Sequence, residues 1–107
     1  MAYDEDLAWR VREQLASVDA VTERRMFGGL AFLIGGHMSV AVSGRGGLMV
    51  RTTTDLTGEP HVEPVVMRGR AMRGWIRVAV AGLEDDRALA AWVARGVATA
   101  QALPPKH

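Results

Sequence analysis

An α+β fold is predicted for this chain: two layers, with an antiparallel sheet covered on one face by helices. Three observations predict it. Helical apolar spacing marks both ends of the chain, over residues 7–15 and 89–100. Short apolar runs lie between them, punctuated by the pairs Gly28-Gly29, Gly35-Gly36 and Gly46-Gly47, as in a strand meander. Finally, the order helix, meander, irregular segment, strand pair, helix segregates helices from strands, which suits a sheet packed on one side.

At the N-terminal end, Asp4 is a candidate helix cap, with Glu5 and Asp6 in the first turn where carboxylates suit the helix dipole. Leu7, Val11, Leu15 and Val18, with Ala8 beside them, form the apolar stripe of a helix over 4–17. Trp9 is expected to pack at the edge of that stripe. A first strand over 21–27 carries Thr22, Glu23, Arg24 and Arg25, the polarity of an edge. The most apolar strand, 30–34, is followed across Gly35-Gly36 by a return strand over 37–42.

A two-residue turn there sets Ile34 opposite His37, Phe32 opposite Ser39 and Leu30 opposite Ala41. Ala31 and Leu33 then face Val40 and Met38 on the other side. Both faces of this hairpin are apolar, so one meets the helices and the other calls for a second cover. A homodimer is expected, with Leu30, Phe32 and Ile34 as its candidate surface.

Residues 43–47 read as a turn and 48–51 as a short strand. The stretch 52–64, with four threonines, Pro60 and Pro64, has room for at most one helical turn near 54–57. Strands over 65–68 and 75–80 flank a connection at 69–74. On the second of them Ile76, Val78 and Val80 share one face, and Trp75, Arg77 and Ala79 the other. Glu84-Asp85-Asp86 opens a last helix with the stripe Leu89, Trp92, Val93, Gly96, Val97 and Ala100, where Gly96 permits close approach to the sheet. Leu103-Pro104-Pro105 ends it.

One domain over 1–107 is expected, large enough for a core without metals or disulfides. The chain has no cysteine, which excludes disulfides, zinc–thiolate sites and thiol catalysis. No apolar run reaches membrane-spanning length, and the first residues are acidic where a signal peptide is basic. A cytoplasmic protein without membrane contact is the expectation. The net charge of +1 conceals a segregation: two arginines against six acids over 1–23, but eight arginines against three acids over 24–77. A basic centre favours anionic partners. Lys106 is the only lysine, however, a bias that codon usage explains as readily as binding does.

Most chemistry fails on inspection. Gly44-Arg45-Gly46-Gly47 precedes a strand, not the helix a phosphate loop needs. His61-Val62-Glu63 lacks the cysteine ligands of a zinc deaminase. His37 sits on a turn, and His107 is terminal and reads equally as a tag remnant, so no metal site is expected. Ser17, Ser39 and Ser43 have no nucleophile elbow, and the acids at the helix starts are explained by capping. Scattered methionines are core filler. No enzyme activity and no cofactor are expected.

The remaining constellation is cationic. Arg68, Arg70, Arg73 and Arg77 surround Trp75, and Trp75 and Arg77 share a strand face that Arg73 would join. With Arg24 and Arg25 they form a candidate interaction or anion-binding set, able in principle to stack on and neutralise nucleic acid. A solvated face with arginine stems shielding an aromatic edge is favoured, because +1 is far from a basic nucleic-acid domain.

Arg25-Met26-Phe27-Gly28-Gly29, then Gly36-His37-Met38 and Leu48-Met49-Val50-Arg51, resemble the TfoX/Sxy N-terminal domain family. So does the second signature, residues 67–75 (Met-Arg-Gly-Arg-Ala-Met-Arg-Gly-Trp), and the terminal helix with its Leu-Pro-Pro-Lys ending. The resemblance covers nearly the whole chain. It implies an antiparallel sheet with packed helices, similar to type III secretion chaperones, in a bacterial cytoplasmic protein. Named members regulate natural competence with the cyclic-AMP receptor protein at promoters and carry a second, C-terminal domain. Relatives have room for a helix where this chain has 52–64, and the family supplies no catalytic residues. The expectation is a stand-alone, non-enzymatic regulatory domain with an as yet unknown protein partner, and transcriptional regulation as its setting. Nucleic-acid binding is the alternative, and a small-molecule or catalytic pocket the second alternative.

Overall fold

The computed structural model describes residues 3–26 and 28–104. Met1, Ala2, Phe27, Pro105, Lys106 and His107 lie outside the described residues. Helix α1 (Glu5–Gln14) begins where expected, with the Asp4 carboxylate accepting a 3.1 Å hydrogen bond from the Leu7 amide. Strands β1 (Val21–Met26), β2 (Gly29–Ile34), β3 (His37–Val42) and β4 (Leu48–Arg51) form the antiparallel meander. Strands β5 (Val62–Met67) and β6 (Arg70–Val78) form a hairpin, and β6 pairs with β4. A short 3₁₀ turn, Val80–Gly82, leads to helix α2 (Asp86–Gln101), whose cap Asp85 accepts from the Arg87 amide. The six strands form one sheet in the order β1-β2-β3-β4-β6-β5.

One face of the sheet and both helices enclose the main core. Leu30, Phe32, Ile34, Val40, Val42, Leu48, Val50, Ile76 and Val78 meet Leu7, Val11, Leu15, Leu89, Val93 and Val97. Leu30, Phe32 and Ile34, expected at a subunit interface, are thus interior residues under the helices, and they present no mating surface. The uncovered face carries a small second cluster instead: Ala31, Leu33 and Ala41, sheltered by Met26, Met38 and Met49. Trp9, expected to be packed, stands 61% exposed on α1.

The β2–β3 hairpin departs from the expected register in one respect. Gly35 and Gly36 both have positive φ, as a two-residue primed turn requires, and Ile34 does face His37. The register then shifts by one residue between Phe32 and Leu33, so Phe32 faces Val40, Leu30 faces Val42 and Ala31 faces Ala41. Ser39 is the extra residue. Its buried hydroxyl donates a 2.8 Å hydrogen bond to the Phe32 carbonyl, which holds the bulge in place. The shift keeps large residues on the core side of both strands. Ser39→Ala is expected to cost about 1 kcal/mol in denaturant unfolding, the net worth of one buried hydrogen bond. An unchanged midpoint would show that the bulge needs no such tie.

Helix α2 lies across β3 and β4. It approaches closely because Gly96 is there: a Cβ at that position would stand 2.5 Å from the Ser39 carbonyl oxygen. Helix α1 is tied to β1 by a two-pronged pair, in which Arg12 Nε and Nη2 donate to the two Glu23 oxygens at 2.7 and 2.8 Å. These hydrogen bonds, with the nearby positive charge, lower the Glu23 carboxyl below its ordinary value. A lowered folded-state value stabilises above the unfolded value, and the benefit is lost as pH falls through the folded one. Acid titration should therefore remove a small increment of stability, under about 1 kcal/mol for so exposed a pair. In Glu23→Gln that increment should be missing from the acid limb of the pH–stability curve.

Candidate interaction surface

All of the expected loop over 69–74 except Gly69 belongs to strand β6. Arg68 and Gly69 take φ of +53° and +78°, so the chain reverses in two residues and Arg70 pairs with Met67, Ala71 with Val66. Below this tip the register breaks: Pro64 pairs with Ile76, leaving residues 72–75 opposite residue 65 alone. Gly74, at φ +84°, absorbs the irregularity, and its carbonyl accepts a 2.9 Å hydrogen bond from the Thr52 amide. The outer half of the hairpin, residues 65–75, is thus an arm. It displays Val66 (50% exposed), Met72 (37% exposed) and the exposed side chains of Arg68, Arg70 and Arg73. No acidic residue occurs in this segment.

Between the arm, the threonine segment and the end of α2 runs an open groove of about 860 Å³. Pro64, Ala71, Met72 and Leu103 give it apolar lining, while Arg51, Arg73, the acidic Asp55 and the threonines Thr52, Thr54 and Thr99 add polar groups, so that two arginines outnumber one acid. The threonine segment contains no helix and is braced by its own side chains. The Thr52 hydroxyl accepts from the Thr54 amide at 3.1 Å, and the Asp55 carboxylate accepts from the Thr57 amide and hydroxyl at 3.0 and 2.7 Å. Those bonds, the amide's first, hold the Asp55 carboxyl below its usual range, so it stays ionised.

The seven residues expected to form one cationic set do not assemble. Arg68, Arg70 and Arg73 stand together on the arm. Trp75 and Arg77 lie lower on β6, opposite Arg51 and Met49. Arg77 Nε donates to Glu63 at 2.8 Å, so its charge is matched locally. Arg24 and Arg25 are exposed on β1, at the other edge of the sheet. Four strand spacings separate β1 from β6, about 19 Å. Sequence reasoning missed the groove, Val66 and Met72, although Arg68-Gly69 is a workable two-residue turn and would have located them. Among the described residues, no three His, Asp or Glu side chains form a group that could hold a metal ion.

Compared with known families, residues 13–100 match the model of the TfoX N-terminal domain. No curated protein and no solved structure matches the chain.

Proposed function

The chain belongs to the TfoX N-terminal domain family, and from that premise we propose that it is a non-enzymatic regulatory domain that works by docking proteins on the β5–β6 arm. The family is of regulatory type and is not a known enzyme family. The observation that carries the reading is the composition of the arm. Interfaces are enriched in Arg, Met and aromatic residues and depleted in Lys and acids. The arm and its base hold Arg68, Arg70, Arg73, Met67, Met72 and Trp75, with Val66 and Met72 exposed beside an apolar groove. A cytoplasmic location and a part in transcriptional regulation belong to the same reading, the first supported by a cysteine-free composition.

A photo-crosslinking residue at position 72, activated in native lysate and followed by nuclease digestion, tests this. Protein adducts should survive nuclease and fall off when Arg70 and Arg73 are both replaced by Glu. Adducts that disappear with nuclease would replace this reading with a second one, nucleic-acid binding. That second reading is favoured by three arginines on a narrow ribbon without an acid, and it requires affinity that falls steeply with salt.

A further inference from the structure

Among the described residues the ion pairs are Arg10–Asp86, Arg12–Glu23 and Arg77–Glu63. Among the described residues, the charged side chains outside these pairs include Arg24, Arg25, Arg45, Arg87 and Arg95, and two groups of opposite sign that lie beside exposed apolar side chains. One is the arm with Arg68, Arg70 and Arg73. The other is the outer side of α1, where Glu5, Trp9 and Glu13 recur at intervals of four and so share one face, with Asp6 beside them. The buried residues Leu7, Ala8 and Val11 lie on the opposite side of that helix. Each of these two groups holds exposed apolar surface: Trp9 at 61% among the acids, Val66 and Met72 among the arginines. Among the described residues, three of the four large exposed apolar side chains therefore fall within these two patches of opposite charge.

Within one chain the patches cannot satisfy each other. Arg12 and Glu23 bind α1 to β1, at one edge of the sheet, whereas the arm extends from β6 and β5 at the other. No α1 residue lines the groove. We propose that the occupant of the groove is helix α1 of a second copy, with Trp9 set on the apolar lining at Met72 and Ala71. Glu5, Asp6 and Glu13 then face Arg70 and Arg73, and Arg68 at the tip extends the same positive field. A two-fold axis repeats the contact, so that each copy gives one helix and receives one, which closes the assembly at two chains. Tryptophan and arginine are the residue types that most often dominate binding energy when desolvated at an interface. The assignment rests on the reading of the arm as a protein-docking surface, and it names the protein.

Light scattering across a micromolar concentration series, at low and high salt, is the test. The expected result is a mass of two chains that shifts toward one as salt rises. Trp9→Ala removes the anchor from both contacts and should raise the dissociation constant about a hundredfold or more. Its circular dichroism should be unchanged, because Trp9 is exposed. Arg70→Glu with Arg73→Glu should also give single chains, and adding Glu5→Arg with Glu13→Arg to that variant should restore the pair. A single-chain mass for the unaltered protein at every concentration overturns the proposal, as do a dimer indifferent to Trp9→Ala, a charge exchange without rescue, and a mass that grows without limit. If the unaltered protein is a single chain yet its arm still captures proteins, only self-docking is lost. If the arm captures nothing but nucleic acid, the underlying reading fails as well.

Discussion

Gly96→Val is expected to destabilise this domain severely, and Gly96→Ala already to do so measurably. Two effects oppose each other at this site. Replacing glycine within a helix gains about 1 kcal/mol of intrinsic helix propensity for alanine, and less for valine. Against that, the new Cβ would lie 2.5 Å from the Ser39 carbonyl oxygen and 2.6 Å from Val40 Cγ1. The first of these is a backbone atom inside the bulge, fixed by the Ser39–Phe32 hydrogen bond, so it cannot turn aside as a long side chain does. Overpacking of this kind costs about 1–3 kcal/mol for a small increment and more for a branched one. The clash therefore exceeds the propensity gain in alanine modestly, and in valine by enough to consume much of a typical stability of about 5–15 kcal/mol. Urea denaturation of the three proteins measures it. A Gly96→Ala variant more stable than the parent would mean that α2 can retreat from β3 freely.

Phe32→Ala should be the most damaging truncation. Phe32 is fully buried at the centre of β2, between β1 and β3 and beneath the helices. Removing a buried phenyl group costs about 3–5 kcal/mol, from lost transfer energy and the cavity left behind. In a domain of this size, that corresponds to a fall in Tm of about 15–30 °C. Trp9→Ala supplies the contrast. It deletes a larger ring, but from a position that is mostly in solvent, so thermal unfolding should move by only about 0.5 kcal/mol or less at concentrations where the chain is single. Equal losses in the two variants would contradict the assignment of inside and outside.

Much of the architecture was legible because local rules and tertiary packing agree. Asp4 and Asp85 cap helices, Gly35-Gly36 turn a hairpin, and the stripes of Leu7–Val11 and Leu89–Val93–Val97 face the core as their spacing requires. Strands β3 and β4 fall at 37–42 and 48–51 as the sequence reading placed them. The failures have particular causes. Strand alternation counts residues, and a single bulge at Ser39 defeats the count by shifting Phe32 from Ser39 to Val40. The same alternation could not say which apolar face of β2 meets the helices, so Leu30, Phe32 and Ile34 were assigned to the wrong side. Residues 69–74 read as a loop because two glycines and three arginines flank or fill them. Arg68 in a left-handed conformation turns that segment into a strand. Pro60 and Pro64 argued against a strand at 62–64, yet an edge strand tolerates proline, and β5 is one. The site was less legible than the fold. Arginines spaced along a sequence give no hint that β1 and β6 will be separated by three intervening strands.

The order of those strands leaves two rows of backbone groups at the margins, on β1 and on β5, and each margin is protected. On β1 the middle of the strand reads Thr-Glu-Arg-Arg. A second β1 laid antiparallel about Arg24 would set that arginine directly against its own copy, and like charges directly opposite are destabilising. On β5, Pro64 offers no amide hydrogen, and the register break beside it bends the margin out of line. Neither border can therefore recruit a further strand easily. A six-stranded sheet with open ends is an obvious template for fibrils, and this one disarms itself with one arginine-rich strand and one proline. Any association is thereby left to side-chain surfaces and not to the continuation of the sheet.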